Sequence, residues 1–289
     1  MAQVPQSPPP APLFDALLPQ AIARKAEDVG AAKAALDAVA LFALAVLAGA
    51  FIALGAMFFT VVTTGALGIL PYGIVRLAGG LAFCLGLILV VLAGAELFTG
   101  NNLIVIAWAS GKVSLPLLLR NWLIVYAGNF AGAMATAALV ALAGQHRFAA
   151  GALGLQALAI ASAKLELGWG QAAALGVLCN ALVCLAIWLT MGAHSTTDKV
   201  LAILFPIAAF VAAGFEHSVA NMYFVPVAIW IAQDGAWLAS VGQSAADVES
   251  LTWARFLLAN LLPVTLGNVA GGAGLVGLVY WFIYLRPRR

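Results

Sequence analysis

The chain has 289 residues, 64% of them hydrophobic and 8% charged, with a formal net charge of +2. Soluble domains carry about a quarter charged residues, so this composition excludes an ordinary soluble domain and points to a polytopic membrane protein. No basic stripe exists to hold nucleic acid, and Cys84, Cys179 and Cys184 all lie in apolar runs, which argues against a disulfide framework.

The chain opens on a Pro-rich stretch, and residues 1–12 read as a disordered tail. It has neither a basic n-region nor an apolar h-region, so it does not read as a cleaved signal peptide. From about Phe14 to Val29, apolar residues recur at helical spacing beside Arg24, Lys25, Glu27 and Asp28. That pattern predicts an amphipathic helix on the membrane surface or against a neighbouring subunit, acting as an anchor or as a gate. Residues 1–35 are therefore assigned to a tail with its helix, 36–286 to a membrane domain and 287–289 to a second tail.

Six apolar segments follow, at about 36–62, 73–109, 116–143, 169–193, 199–231 and 254–285. Each is long enough to cross about 30 Å of hydrocarbon. The second and fifth are too long for one straight span and contain related motifs. Ala93-Gly94-Ala95-Glu96 leads to Asn101, and Ala213-Gly214-Phe215-Glu216 leads to Asn221, 120 residues later. A second pair, Gly128-Asn129-Phe130-Ala131-Gly132 and Gly267-Asn268-Val269-Ala270-Gly271, occurs in the same order. Two ordered pairs predict two structural copies, 36–143 and 169–285. Three spans per copy is odd, so the copies must be inverted, with helices 2 and 5 broken where they meet at a permeation site. Of the 13 Lys and Arg residues, four (Arg76, Arg147, Lys164 and Arg255) fall on one side and the rest on the other, which places both termini in the cytoplasm.

A helix break at membrane depth frees backbone groups, which must be buried in protein or line a polar cavity. Half-helix N-termini there favour an anion. Asn101 and Asn221 supply amides for the loop backbone. Glu96 and Glu216 are ionisable groups in apolar surroundings, with two readings: caps for backbone donors of the opposite break, or proton carriers. His217 is the one histidine inside an apolar span, since His146 and His194 lie in connections. It reads either as a hydrogen-bonded core residue or as a donor to a weak-acid anion. No metal-ligand spacing and no Walker-type phosphate loop occur, so no metal, no cofactor and no ATP-driven pumping are expected, and the lack of an Asn-Pro-Ala motif disfavours a water or glycerol channel. An intramembrane enzyme built on Glu216 and His217 would have Thr99 as its single candidate nucleophile, and matched half-sites argue against it. The chain is not expected to be an enzyme.

At these residues the chain resembles the formate/nitrite transporter family. The resemblance is carried by Gly94-Ala-Glu-Leu-Phe-Thr99-Gly-Asn101, Gly128 to Gly132, Cys179-Asn180 to Trp188, Gly214-Phe-Glu216-His217-Ser-Val-Ala-Asn221, Pro263 to Asn268 and Tyr280 to Leu285, and it extends from Phe14 onward. It implies an aquaporin-like protomer of six spans in a homopentamer, each protomer with its own pore, in the bacterial inner membrane. It implies that Thr99 hydrogen-bonds His217, that Phe83, Leu87, Phe98, Val183 and Phe210 form two apolar constrictions, that Asn180 and Asn268 line the pore, and that Lys164 attracts the anion. From the residues alone, those five apolar positions read as core. Formate is the expected substrate. Gly100-Asn101 after the loop threonine is closer to nitrite members, so nitrite or hydrosulfide is the alternative.

Overall fold

Proline and aspartate set the first two helices. The computed structural model describes residues 16–66 and 68–287; the tail at 1–12, Phe14, Arg288 and Arg289 lie outside the described residues. Helix α1 runs Pro19–Ala34, later than the apolar spacing suggested. Pro19 fixes its own φ and holds Leu18 extended at φ −64°, ψ 151°, so the helix begins at the proline. Asp37 then caps α2 (Ala38–Thr63), its Oδ1 accepting from the backbone N–H of Val39 and Ala40 at 3.0 Å each.

Helix α3 (Tyr72–Ala93) stops at Gly94, whose φ of +80° suits only a residue without Cβ, and α4 (Phe98–Ala109) restarts after an extended Leu97. Next come α5 (Leu115–Leu142), α6 (Ala152–Leu165) and α7 (Trp169–Gly192). Between α5 and α6, Ala149 and Ala150 make an exposed turn with φ of +51° and +54°. Helix α8 (Thr196–Ala212) ends at Gly214 (φ +76°), and α9 (Ser218–Ile231) begins after His217. A short α10 (Gly235–Ser240) precedes α11 (Arg255–Tyr284), which contains two stretches of wider turns at Arg255–Leu261 and Ala270–Leu278.

Among the described residues there is no β-strand. Five helices (α2, α3, α5, α7 and α11) are long and apolar enough to cross a membrane. The fifth apolar segment is divided instead into α8, with 17 residues, and α9, with 14. Both expected breaks are present, one per motif. The connection after the third segment is itself largely helical (α6), which the sequence reading passed over because its apolar stretch is too short to span.

Helix α2 packs on α3 and α5, α7 on α11, α3 on α8, and α5 on α9. The glycine pairs set two of these contacts. Gly128 and Gly132 of α5 lie against Ala45 and Val46 of α2, and Gly267 and Gly271 of α11 against Ala173 and Val177 of α7. A Cβ at Gly132, Gly267 or Gly271 would overlap a facing carbonyl. Large side chains such as Phe205 (79% exposed) and Leu123 (72%) cover the outside, as lipid or a neighbouring subunit requires.

Candidate functional site

Each break leaves backbone donors and acceptors that the helices no longer satisfy, and one asparagine clasps each of them. At the first break Phe98 N–H donates to Asn129 Oδ1 at 2.8 Å, and Asn129 Nδ2 donates to the carbonyls of Ala45 (2.8 Å) and Glu96 (2.9 Å). At the second, Ser218 N–H donates to Asn268 Oδ1 at 2.9 Å, and Asn268 Nδ2 donates to Gly176 (2.8 Å) and Glu216 (2.9 Å). The two sets of bonds are identical in kind. An amide has two donors and a carbonyl, so each asparagine uses both kinds of group and leaves the loop satisfied at depth. The task expected of Asn101 and Asn221 thus belongs to Asn129 and Asn268, which lie one packed helix away.

Asn101 and Asn221 serve the carboxylates instead. Glu96 is 6% exposed; its Oε1 lies 2.6 Å from Lys33 Nζ and its Oε2 accepts from Asn101 Nδ2 at 2.7 Å. Glu216 is 4% exposed, with Lys164 Nζ at 2.8 Å and Asn221 Nδ2 at 2.7 Å. Two further asparagines complete the networks. Asn121 accepts from Asn101 and donates to the Lys33 carbonyl, while Asn260 accepts from Asn221 and donates to the Lys164 carbonyl. Neither carboxylate bonds a backbone donor of the opposite break. Buried charges are tolerated when paired and hydrogen-bonded, and both are. Lys33, Asn121 and Asn260 were not singled out from sequence. The signal was available: Asn121 and Asn260 stand 139 positions apart, as do Asn129 and Asn268, and Lys33 and Lys164 stand 131 apart.

The two breaks differ at the centre. Thr99 Oγ1 lies 3.0 Å from His217 Nε2. The positions 120 residues away from these two are Val219 and Leu97, so neither polar residue recurs at the matching place of the other motif. His217 also caps α9, its Nδ1 accepting from Ala220 N–H at 3.0 Å. With Nδ1 serving as acceptor, the neutral ring carries its proton on Nε2 and donates it to Thr99. The hydroxyl hydrogen of Thr99 is then free to turn toward a ligand.

Apolar rings close around this pair. Phe210 stacks on His217 with centroids 6.0 Å apart, and Phe83 meets Phe210 edge-on at 5.7 Å. Leu87 and Val183 are buried in the same core. Phe98 turns toward α5, where its ring meets Tyr126 at 4.9 Å and Trp122 at 6.2 Å. Asn180 donates to Asn102 Oδ1 (2.9 Å) and to the Asn268 carbonyl (2.7 Å). Two cavities flank the pair. The one on the α1 face, about 320 Å³, is lined by Lys33, Glu96, Leu97, Asn101 and Ile187 among others. The far-face cavity, about 360 Å³, includes Arg76, Phe83, Lys164, Phe210, Glu216 and His217. Vestibules on opposite faces, each with one Lys–Glu pair in a largely apolar lining, are separated by apolar rings and one hydrogen-bond donor, an arrangement suited to passing a small anion.

Residues 20–282 match the family described as formate/nitrite transporter. The formate channel FocA of Escherichia coli is 45% identical over 276 residues, covering 94% of this chain and 96% of that protein. FocA of Haemophilus influenzae is 39% identical over 265 residues, covering 91% and 93%. A solved structure described as a pentameric formate channel with formate bound superposes with a TM-score of 0.82 at 48% identity, covering 86% of this chain and 98% of that one.

Proposed function

The chain belongs to the formate/nitrite transporter family, and we propose from this premise that it is a formate channel. The observation that carries the reading is the Thr99–His217 pair, buried between two charged vestibules in a chain so similar to formate channels. On this reading it is a multi-pass protein of the bacterial inner membrane with both termini cytoplasmic. Its protomer is aquaporin-like, with six spans in two inverted copies, α8 and α9 together making the fifth, and five protomers assemble with a pore in each. The matched asparagine clasps and carboxylate networks support the repeat.

The anion enters a vestibule and meets the phenylalanine constriction, where water is lost. A hydrogen-bond donor is most valuable there, because an unsolvated anion in apolar surroundings is costly. Thr99, oriented by the Nε2–H of His217, supplies it. Handing over the Nε2 proton would first require a proton on Nδ1 and the loss of the α9 cap, so hydrogen bonding fits the geometry better than proton donation by His217. Asn180 contributes polar surface beside the path, with Leu87 and Val183 narrowing the second constriction, while Asn268 is occupied by the loop and the Phe98 ring packs against α5.

Gly100, which follows the loop threonine, favours nitrite as the second reading. Purified protein in proteoliposomes should take up formate faster than nitrite or hydrosulfide in direct competition. Nitrite uptake equal to or above that of formate would make Gly100 the better guide and overturn the substrate assignment.

A further inference from the structure

The far-face vestibule has a cation with no carboxylate partner among the described residues, and it is not Lys164. The charged and titratable groups lining this cavity are Tyr72, Arg76, Lys164, Glu216 and His217. Lys164 is bound to Glu216 at 2.8 Å, so the two charges cancel. Tyr72 is an exposed phenol, and His217 is held in its neutral tautomer by the α9 cap. Arg76 alone has no carboxylate partner among the described residues. Its Nε donates to the Ala212 carbonyl at 3.2 Å, its Nη2 to the Val211 carbonyl, and its Cζ lies 5.6 Å over the Phe59 ring.

These contacts hold the guanidinium across the C-terminal end of α8, at the second break. They use two of its five N–H donors and leave the remaining three without a protein acceptor. Gly214 keeps the group uncovered, because a Cβ there would come 3.6 Å from Nη2. The opposite vestibule is built differently. Its charged lining groups are Lys33 and Glu96, which cancel at 2.6 Å. Lys25 places its Nζ 2.7 Å from the carbonyl of Met191, a lining residue, but is itself solvent-exposed and outside the lining. The position 120 residues after Arg76 is Thr196, so the repeat has no second guanidinium at this place.

We propose that Arg76 recruits the anion at the far-face vestibule and makes the two mouths of the channel electrostatically unequal. Lys164 then holds Glu216 and its loop, and Arg76 supplies the field that concentrates a monovalent carboxylate ahead of the Phe83–Phe210 constriction. This rests on the formate-channel reading and adds the residue that gathers the substrate. A fixed cation in a low-dielectric mouth raises local anion concentration and entry rate by about 10- to 1,000-fold, and salt screens it.

The test is formate entry into right-side-out and everted membrane vesicles, measured at low and saturating formate and at salt of about 0.01 M and about 0.15 M. Arg76→Gln is expected to lower entry at low formate about tenfold from the Arg76 side, to leave saturating flux in place and to remove the salt dependence on that side. Arg76→Lys should recover most of the loss. Equal entry by Arg76→Gln and the unaltered chain at low formate would overturn the proposal, as would an equal loss from both sides at saturation, which marks a purely structural role. Should Arg76→Gln fail to assemble, the unaltered chain still decides, since equal salt dependence from both faces overturns the inference. Vesicles of the unaltered chain that pass no formate at all would overturn the channel reading itself.

Discussion

Ala220 donates its backbone N–H to Nδ1 of His217, and that bond sets which nitrogen faces Thr99. One atom of the histidine thus does two things: Nδ1 starts α9 and, by accepting there, fixes the proton on Nε2. Thr99→Val keeps the shape and removes the acceptor for that proton. A buried donor left unpaired costs about 1–3 kcal/mol. The loss of the threonine's own donor falls on the passing anion, so formate flux should drop about tenfold or more. Thr99→Ser should retain most of the flux, with protein amount and assembly matched by quantitative detergent extraction. A Val variant that conducts like the unaltered chain would remove Thr99 from the pathway. His217 was legible as a histidine inside an apolar run, whereas its pairing with Thr99 followed from the family resemblance. Neither reached the tautomer, which depends on a backbone N–H three residues on.

At the scale of elements, the broken helices stay broken at little cost because a neighbouring helix supplies what they lack. Asn129 on α5 and Asn268 on α11 each make three bonds to a loop or to the helix beside it. Asn268→Ala strands one N–H and two carbonyls in a dry site, and should destabilise the protein by about 3 kcal/mol or more. Thermal melting of the purified protein in detergent reads this directly. Asn268→Asp should fare little better, since a carboxylate replaces two needed donors with acceptors; a melting temperature unchanged in both variants would mean that the clasp is dispensable. The breaks themselves were legible, because apolar runs over 73–109 and 199–231 are too long for one crossing and hold glycines with carboxylates. Which asparagine did which task was not, because Asn101 and Asn129 are both plausible amides until α5 is docked beside the first loop. Lys33 counted from sequence only as one of the basic residues on the cytoplasmic side. Its carboxylate partner lies 63 residues away, and only the fold joins them.

Across the whole molecule, the correspondence of the two halves begins earlier than the apolar segments indicate. Lys33 ends α1 as Lys164 ends α6, and each reaches the carboxylate of the break in its own half. Helix α1 thus does for the first break what α6 does for the second. The halves meet through Thr99 and His217, through Tyr126 Oη and Thr265 Oγ1 at 2.8 Å, and through the packing of α5 on α9. None of these contacts depends on the exposed turn at Ala149 and Ala150, whose left-handed backbone is unfavourable for alanine. Covalent continuity there is therefore expected to be dispensable. Two polypeptides, one ending at Ala149 and the other beginning at Ala150, should find each other when produced in the same cell. A tag on either fragment should then recover both, and formate should pass only when the two are present together. Recovery of the tagged fragment alone would mean that the peptide link, rather than the matched surfaces, holds the halves in register.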